Sequence, residues 1–101
     1  QKIMSYSVFF EPNAINDIQE AVTYYDFKKE GLGEIFYNSL ENAIETIIIN
    51  PNFQIRYKDY IGLPLKKFPF IVFYYILEET KKIHIISVFN TSKNPSKYYD
   101  L

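Results

Sequence analysis

The fold of this chain is decided by the stretch FPFIVFYYIL, residues 68–77, whose last eight positions are all apolar or aromatic. Pro69 bounds this run on one side, and Glu78 and Glu79 bound it on the other. Such an unbroken run between turn signals is typical of a central β-strand with both faces covered. The rest of the chain has room for two good helices, which cover one face of a sheet. We therefore expect the second face to meet another macromolecule or to remain an exposed aromatic patch.

A first helix is predicted from Pro12, a residue that suits the first turn of a helix. Gly31 supplies its C-terminal stop. The helical stripe that should face the sheet consists of Ala14, Ile18, Ala21, Val22 and Tyr25. This periodicity places Asp17 and Glu20 on the side turned away from the stripe.

A second helix is predicted from about Leu32 to Asn50, because the residue before Pro51 is pushed out of the helical region. Its apolar stripe has the same spacing and consists of Phe36, Leu40, Ala43, Ile44 and Ile47. Glu41 and Glu45 lie four residues apart on the outer side and are interpreted as solvated surface rather than an acid–base pair. The link between the helices is so short that they must pack as an antiparallel hairpin.

The remaining segments have β character. Residues 6–10 predict a first strand, and residues 82–89 predict a strand that returns antiparallel to the central strand at 70–78. Residues 55–60 and 62–67 predict one bent strand or two short ones. The plan is therefore β-α-α-β-β-β, an α+β domain with a helical hairpin on one face of a twisted antiparallel sheet. Residues 1–101 are interpreted as one domain, in which 1–3 could be a remnant ahead of a native start at Met4.

The composition excludes several classes of function. The chain has no cysteine, which excludes disulfides and thiolate metal sites and fits a cytoplasmic location. A net charge of -1 argues against bulk electrostatic binding of nucleic acid, so we expect no direct specific DNA binding. No apolar run reaches the ~18–20 residues of a membrane span. The 19% aromatic content suits a core or a wet binding face, and it is also typical of a low-GC genome.

A set of short motifs in a fixed order carries a resemblance to a known family. The motifs are Pro12-Asn13-Ala14 with Asp17-Ile18 and Ala21, Tyr24-Tyr25, Gly31-Leu32-Gly33-x-x-Phe36, Ala43-Ile44-x-x-Ile47, Asn50-Pro51, Leu65-x-x-Phe68-Pro69-Phe70, Phe73-Tyr74, Val88-Phe89 and Lys93-Asn94-Pro95. Together they resemble the RelE/ParE toxin superfamily of bacterial toxin–antitoxin systems, nearer its ParE-like, plasmid stabilisation branch. The family commonly has a histidine after the last strand and an arginine three residues later, where this chain has Asn90 and Lys93.

The resemblance implies two functions of different classes. A toxin of the ParE branch would inhibit DNA gyrase by binding it, without catalysis, and a cognate antitoxin would neutralise it. A toxin of the RelE branch would cleave mRNA on the ribosome. The near-neutral charge, the single arginine and the two departures favour the first function. A decayed toxin without activity is a third alternative.

Candidate site residues follow from these alternatives. For an endonuclease, the candidates are Arg56, Asn90, Lys93 and Tyr98, which could hold a phosphate or stack a base. The ordinary interpretation of Arg56 is a strand-edge residue paired with Asp59 or Glu78. For a binding toxin, the residues predicted to contact a partner are Phe73, Tyr75, His84, Lys93, Tyr98 and Tyr99. We predict no metal site and no cofactor, and without an antitoxin we expect a homodimer through the same surface.

Overall fold

The computed structural model describes residues 5–92 of the chain. Its elements in chain order are β1 (Ser7–Phe10), α1 (Pro12–Lys28), α2 (Leu32–Ile49), β2 (Ile55–Tyr57), β3 (Tyr60–Pro64), β4 (Phe70–Leu77) and β5 (Lys82–Asn90). The strands form one sheet in the order β1-β5-β4-β3-β2. The α+β prediction is confirmed, and the segment after α2 forms two short strands rather than one bent strand. Neither helix of residues 5–92 is both long and apolar enough to span a membrane.

The sheet is mixed, whereas the sequence predicted an antiparallel sheet. β1 runs parallel to β5, with Phe9 opposite His84, while the other three strand pairs are antiparallel. The reason is the number of connections between the two strands. Six connections separate β1 from β5 along the chain, and each of them reverses the direction of the chain. An even number of reversals returns the chain to its starting direction, so the first and last strands point the same way.

The helical hairpin covers one face of the sheet, as predicted, and Phe36 lies at the centre of the contact. Its ring is 5.5 Å from the ring of Tyr25 and lies edge-on to Phe68 and Phe70 at 5.3 and 5.0 Å. The buried core around it includes Ala14, Ala21, Leu40, Ala43, Ile47, Val72, Tyr74, Ile83 and Ile85. The other residues of the two predicted helical stripes lie half-buried against it, namely Ile18, Val22, Tyr25 and Ile44, and so do Val8 and Phe10 of β1.

Two glycines set the turn between the helices. Gly31 has a φ of 87°, a left-handed conformation that favours glycine. Gly33 lies against α1 so closely that a Cβ there would be 2.7 Å from the carbonyl oxygen of Val22. The Gly33 N–H donates to Asp26 Oδ1 at 2.8 Å, which satisfies one amide group that the start of α2 leaves unpaired. These contacts hold α2 antiparallel to α1.

Tyr74 ties the segment that follows α2 to the core. Its side chain is fully buried, and its hydroxyl donates to the carbonyl oxygen of Pro51 at 2.6 Å. Burial disfavours the charged phenolate and raises the pKa of Tyr74 from 10.0 to about 12. The neutral hydroxyl is therefore the form that the fold stabilises.

Replacing Tyr74 with phenylalanine should lower the free energy of unfolding by about 1–3 kcal/mol at neutral pH, because the Pro51 carbonyl loses its partner. Since the folded pKa of Tyr74 lies above its unfolded value, this residue's contribution is present below pH 10 and is lost as the pH rises to about 12. Urea unfolding of both proteins across this range should show their difference shrinking. Tyr37→Phe, on the surface of α2, is the matched control and should change little. A difference that does not depend on pH would contradict the assignment.

Candidate partner-binding surface

The sheet face away from the helices carries a row of aromatic rings across four strands. The row runs from Phe9 in β1 through His84 in β5 and Tyr75 in β4 to Tyr60 in β3. The ring centroids of Phe9 and His84 are 5.2 Å apart, and those of His84 and Tyr75 are 4.9 Å apart with planes at 4°. Tyr60 follows at 6.4 Å from Tyr75. Cross-strand pairs of this kind stabilise neighbouring strands. We call these four residues the aromatic row.

His84 lies between Phe9 and Tyr75 in this row and also contacts the carboxylate of Glu11. Its Nδ1 lies 3.1 Å from Glu11 Oε2, and the Glu11 N–H donates to the carbonyl oxygen of Ile85 at 2.9 Å. Glu11 immediately precedes α1, so this contact joins the start of the helix to the middle of β5. The His84 side chain is 17% exposed, which leaves it a small accessible surface. No group of three or more potential metal ligands exists among residues 5–92.

The same face continues into a second apolar cluster that is buried. Ile71, Phe73 and Phe89 form it, and Tyr60 and Ile86 pack against it. Phe73 is 0% exposed. The sequence predicted that Phe73 would contact a partner, but in this conformation its ring offers no surface to one. The aromatic row is more open, since Phe9 is 52% exposed and Tyr75 is half-buried.

Two candidates for RNA cleavage, Arg56 and Asn90, lie on opposite faces of the sheet. Arg56 packs over Gly62 and donates its Nε–H to the Gly62 carbonyl at 3.1 Å. A Cβ on Gly62 would meet both Arg56 and Ile71, which places Arg56 on the face of the second cluster. Asn90 is paired with Phe70, a residue of the helix-facing core, and paired residues share a face. Its Oδ1 accepts a hydrogen bond from the Ser92 N–H at 2.8 Å, so it supports a turn.

The expected ion pair of Arg56 with Asp59 or Glu78 is not found among the described residues. Glu78 Oε1 instead accepts a hydrogen bond of 3.0 Å from the Tyr6 hydroxyl, and it lies 3.4 Å from the Lys81 ammonium. The hydrogen bond to Glu78 raises the pKa of Lys81. Glu78 therefore ties the turn between β4 and β5 to the segment before β1.

The predicted residues Lys93, Tyr98 and Tyr99 lie outside the described residues. Their roles in contacting a partner, and the roles of Lys93 and Tyr98 in cleavage, stay predictions. Of the six residues predicted to contact a partner, the structure therefore places three, and it brings Tyr75 and His84 together in the aromatic row.

Asp17 is the residue that sequence reasoning misplaced. β5 contains a β-bulge, because Ser87 pairs with Phe73 and Ile85 pairs with Tyr74, which leaves Ile86 as one extra residue. Asp17 reaches this bulge from α1. Asp17 Oδ2 accepts hydrogen bonds from Ser87 Oγ and from the Val88 N–H, both at 3.0 Å. The position of Asp17 could have been predicted, because it lies three residues after Ala14 and four before Ala21 and is therefore their neighbour on the helix surface. Both alanines are buried, and their small side chains allow α1 to approach β5 closely.

Comparison with known proteins identifies relatives of this architecture. Residues 8–95 match the family described as ParE toxin of type II toxin-antitoxin system, parDE. The chromosomal ParDE TA system from P. aeruginosa superposes with a TM-score of 0.64 at 15% identity, over 84% of this chain and 95% of that one. The isolated E. coli RelE toxin superposes with a TM-score of 0.56 at 16% identity, over 94% of each chain. At these identities the structural likeness concerns the fold alone, and no curated protein matches the sequence significantly.

Proposed function

The chain belongs to the ParE toxin family of type II toxin–antitoxin systems, and on this basis we propose that it stops growth by binding DNA gyrase without catalysing a reaction. A cognate antitoxin neutralises it, and both proteins act in the cytoplasm as a plasmid stabilisation system. The observation that carries the proposal is the family match over residues 8–95. Residues 1–101 are taken as one toxin domain.

The arrangement of the polar side chains supports binding over RNA cleavage. Cleavage at a 2′-hydroxyl needs a base, charge stabilisation on the phosphate and an acid for the leaving oxygen. Arg56 and Asn90 lie on opposite faces of the sheet and so cannot act together on one phosphate. Asn90 also has no side-chain group that could transfer a proton near neutral pH.

The aromatic row is the surface that we assign to the antitoxin. Its two tyrosines combine an apolar ring with a polar hydroxyl, and aromatic residues are enriched at protein interfaces. β1, the strand that carries Phe9 of the row, forms one edge of the sheet, so an extended antitoxin segment could add a strand there. In this proposal Tyr75 and His84 contact the antitoxin, together with Lys93, Tyr98 and Tyr99. Without the antitoxin, a homodimer forms through the same surface.

Induced expression, followed by assays on purified components, tests the target. We expect growth arrest with SOS induction, intact mRNA on ribosomes and loss of supercoiling by purified gyrase. Because a binding inhibitor does not turn over, the loss of supercoiling activity should increase in proportion to the molar ratio of toxin to gyrase. Co-expression of the reading frame next to the toxin gene should restore growth.

The alternative function predicts a different set of results. A RelE-type endonuclease would cut ribosome-bound mRNA at toxin amounts well below those of the ribosomes, and gyrase would remain active. If cleavage occurred and Lys93→Ala or Tyr98→Phe abolished it, the gyrase proposal would be wrong. If neither gyrase nor mRNA were affected, the chain would be a decayed toxin.

A further inference from the structure

Four exposed lysines lie at the end of the molecule where α1 stops and the chain turns from β3 to β4. Lys28 and Lys29 close α1, while Lys66 and Lys67 belong to the loop at residues 65–69. None of the four forms an ion pair within the part of the chain that the structure describes. Their charges are therefore open to an anionic partner. We call these four residues the lysine end.

Aromatic contacts bring the two pairs of lysines to the same end of the molecule. The Lys28 ammonium lies 5.3 Å from the centre of the Tyr24 ring, and the Tyr24 ring lies 5.2 Å from that of Tyr25. Tyr25 in turn meets the ring of Phe68 edge-on at 4.9 Å, and Phe68 directly follows Lys67. Three neighbouring rings thus join the end of α1 to the loop.

Hydrogen bonds hold the loop that carries the second pair of lysines. The Leu65 N–H donates to the carbonyl oxygen of Phe70 at 2.9 Å. The Pro69 carbonyl oxygen accepts the N–H of Thr91, the residue after β5, at 2.7 Å. The loop backbone is thereby fixed to the ends of two strands. A fixed loop loses less conformational freedom when its side chains contact a partner.

The opposite end of β4 differs, because carboxylates accompany its lysines. There Lys81 lies 3.4 Å from Glu78, and Glu79 lies three residues before Lys82. The loop at residues 65–69 contains no carboxylate. The net charge of -1 for the whole chain is therefore compatible with surplus positive charge at the lysine end.

Helix structure explains only one of the two lysine pairs. A lysine in the last turn of a helix complements the helix dipole, which accounts for Lys28. The carboxylates near this helix end are Asp26, which accepts the Gly33 N–H at 2.8 Å, and Glu30. No helix ends at the loop between β3 and β4, so its lysine pair requires another explanation.

We propose that the lysine end contacts the phosphate backbone of duplex DNA held by the target of the toxin. Lysine is depleted in interfaces between proteins, whereas it is common in contacts to phosphate. The inference rests on the proposed function, since gyrase acts on duplex DNA and a toxin bound to gyrase lies near that DNA. Phosphate contacts carry no base information, so this contact is independent of sequence and agrees with the expectation of no specific DNA binding.

An anionic membrane is the main competing partner, because Phe27 is 91% exposed beside Lys28. A helix that attaches to a membrane buries a whole apolar face in it. The exposed apolar surface at this end of α1 consists of Phe27 and of Tyr24, which is 51% exposed. Two rings beside the carboxylate of Asp26 do not form such a face, so we favour DNA.

Binding of the full chain to a short labelled DNA duplex, followed by fluorescence anisotropy over a series of salt concentrations, tests the contact. Because four lysines would displace counterions from phosphates, the logarithm of the binding constant should fall against that of the salt concentration with a slope of about −3 to −4. Two duplexes of unrelated sequence should bind equally. Polyglutamate and vesicles of phosphatidylserine and phosphatidylcholine should bind at least ~10-fold more weakly.

Variants locate the contact on the molecule. K66Q/K67Q should reduce the magnitude of the salt slope by about 2 and weaken duplex binding at least ~10-fold at low salt, and K28Q/K29Q should act similarly. K81Q/K82Q is the matched control, because it removes an adjacent lysine pair from the opposite end of β4. It should leave duplex binding unchanged. Circular dichroism verifies that each variant is folded.

Assays with gyrase separate this inference from the proposed function. Wild-type toxin should bind the gyrase–DNA complex more tightly than gyrase alone. K66Q/K67Q should lose this difference while it binds gyrase alone as wild type does. If the toxin does not bind gyrase, the proposed function is wrong, and the duplex measurement still decides whether the lysine end binds DNA.

Four results would overturn the inference. They are absence of saturable duplex binding at low salt, a salt slope that K66Q/K67Q leaves unchanged, an equal loss of binding in K81Q/K82Q, and a preference for either of the other two polyanions. Vesicle binding that Phe27→Ala abolishes would assign the lysine end to a membrane surface. Tighter binding of polyglutamate than of the duplex would assign it to an acidic protein surface.

Discussion

Replacing Phe36 with alanine is expected to lower the free energy of unfolding by about 3–5 kcal/mol. Phe36 is 0% exposed and contacts three other aromatic rings, those of Tyr25, Phe68 and Phe70. Truncation removes this apolar surface from the core and leaves a cavity where α2 meets the sheet. The neighbouring rings belong to α1, the segment before β4 and β4 itself, so the gap cannot close by the movement of one element.

Urea denaturation of the wild-type chain and of two variants would measure this loss. Ile35→Ala is the matched control, because Ile35 precedes Phe36 in α2 and is 51% exposed. It should cost less than about 1 kcal/mol. If Phe36→Ala does not fold, Phe36→Leu should give a smaller, measurable loss. Equal losses at Phe36 and Ile35 would contradict the core described above.

The helices and their buried faces were predictable because helical periodicity is local information. Phe36, Leu40, Ala43 and Ile47 recur at the spacing of one helical face, and all four are buried. The family was predictable for a related reason, since its motifs occur in order along the chain. That prediction is confirmed by the match over residues 8–95.

The direction of β1 was not predictable from local patterns. Its parallel pairing with β5 follows from the six connections between the two strands, whereas the predicted β-α-α-β-β-β order, which counts residues 55–67 as one strand, has only five. The burial of Phe73 was missed for a similar reason. The sequence shows that β4 is apolar on both sides, but only the folded chain shows how far each side is covered.

Partners of polar side chains were the hardest feature to predict. Glu11 and His84 meet across 73 residues of sequence, and Arg56 bonds to a backbone carbonyl instead of the carboxylates expected. Such contacts depend on strand register and on which face a side chain occupies, both of which are set by tertiary structure.

The bulge in β5 is the place where one side chain should have the largest polar effect on stability. A β-bulge disrupts the ladder locally and leaves backbone groups without their usual partners. Asp17 supplies an acceptor for the Val88 N–H and for the Ser87 hydroxyl, and Ser87 is buried. Because the acceptor is ionised, these hydrogen bonds belong to the stronger class.

Replacing Asp17 with alanine should therefore lower the free energy of unfolding by about 2–4 kcal/mol, since two donors near the core lose a charged acceptor at once. Asp17→Asn keeps one acceptor oxygen and should fall between alanine and wild type. Glu20→Ala on the exposed side of the same helix is the matched control and should change little. Hydrogen exchange adds a local measurement, because the Val88 amide should exchange faster in Asp17→Ala than global unfolding accounts for. If Asp17→Ala matched Glu20→Ala in stability and Val88 stayed protected, the bulge would be held by its strands alone.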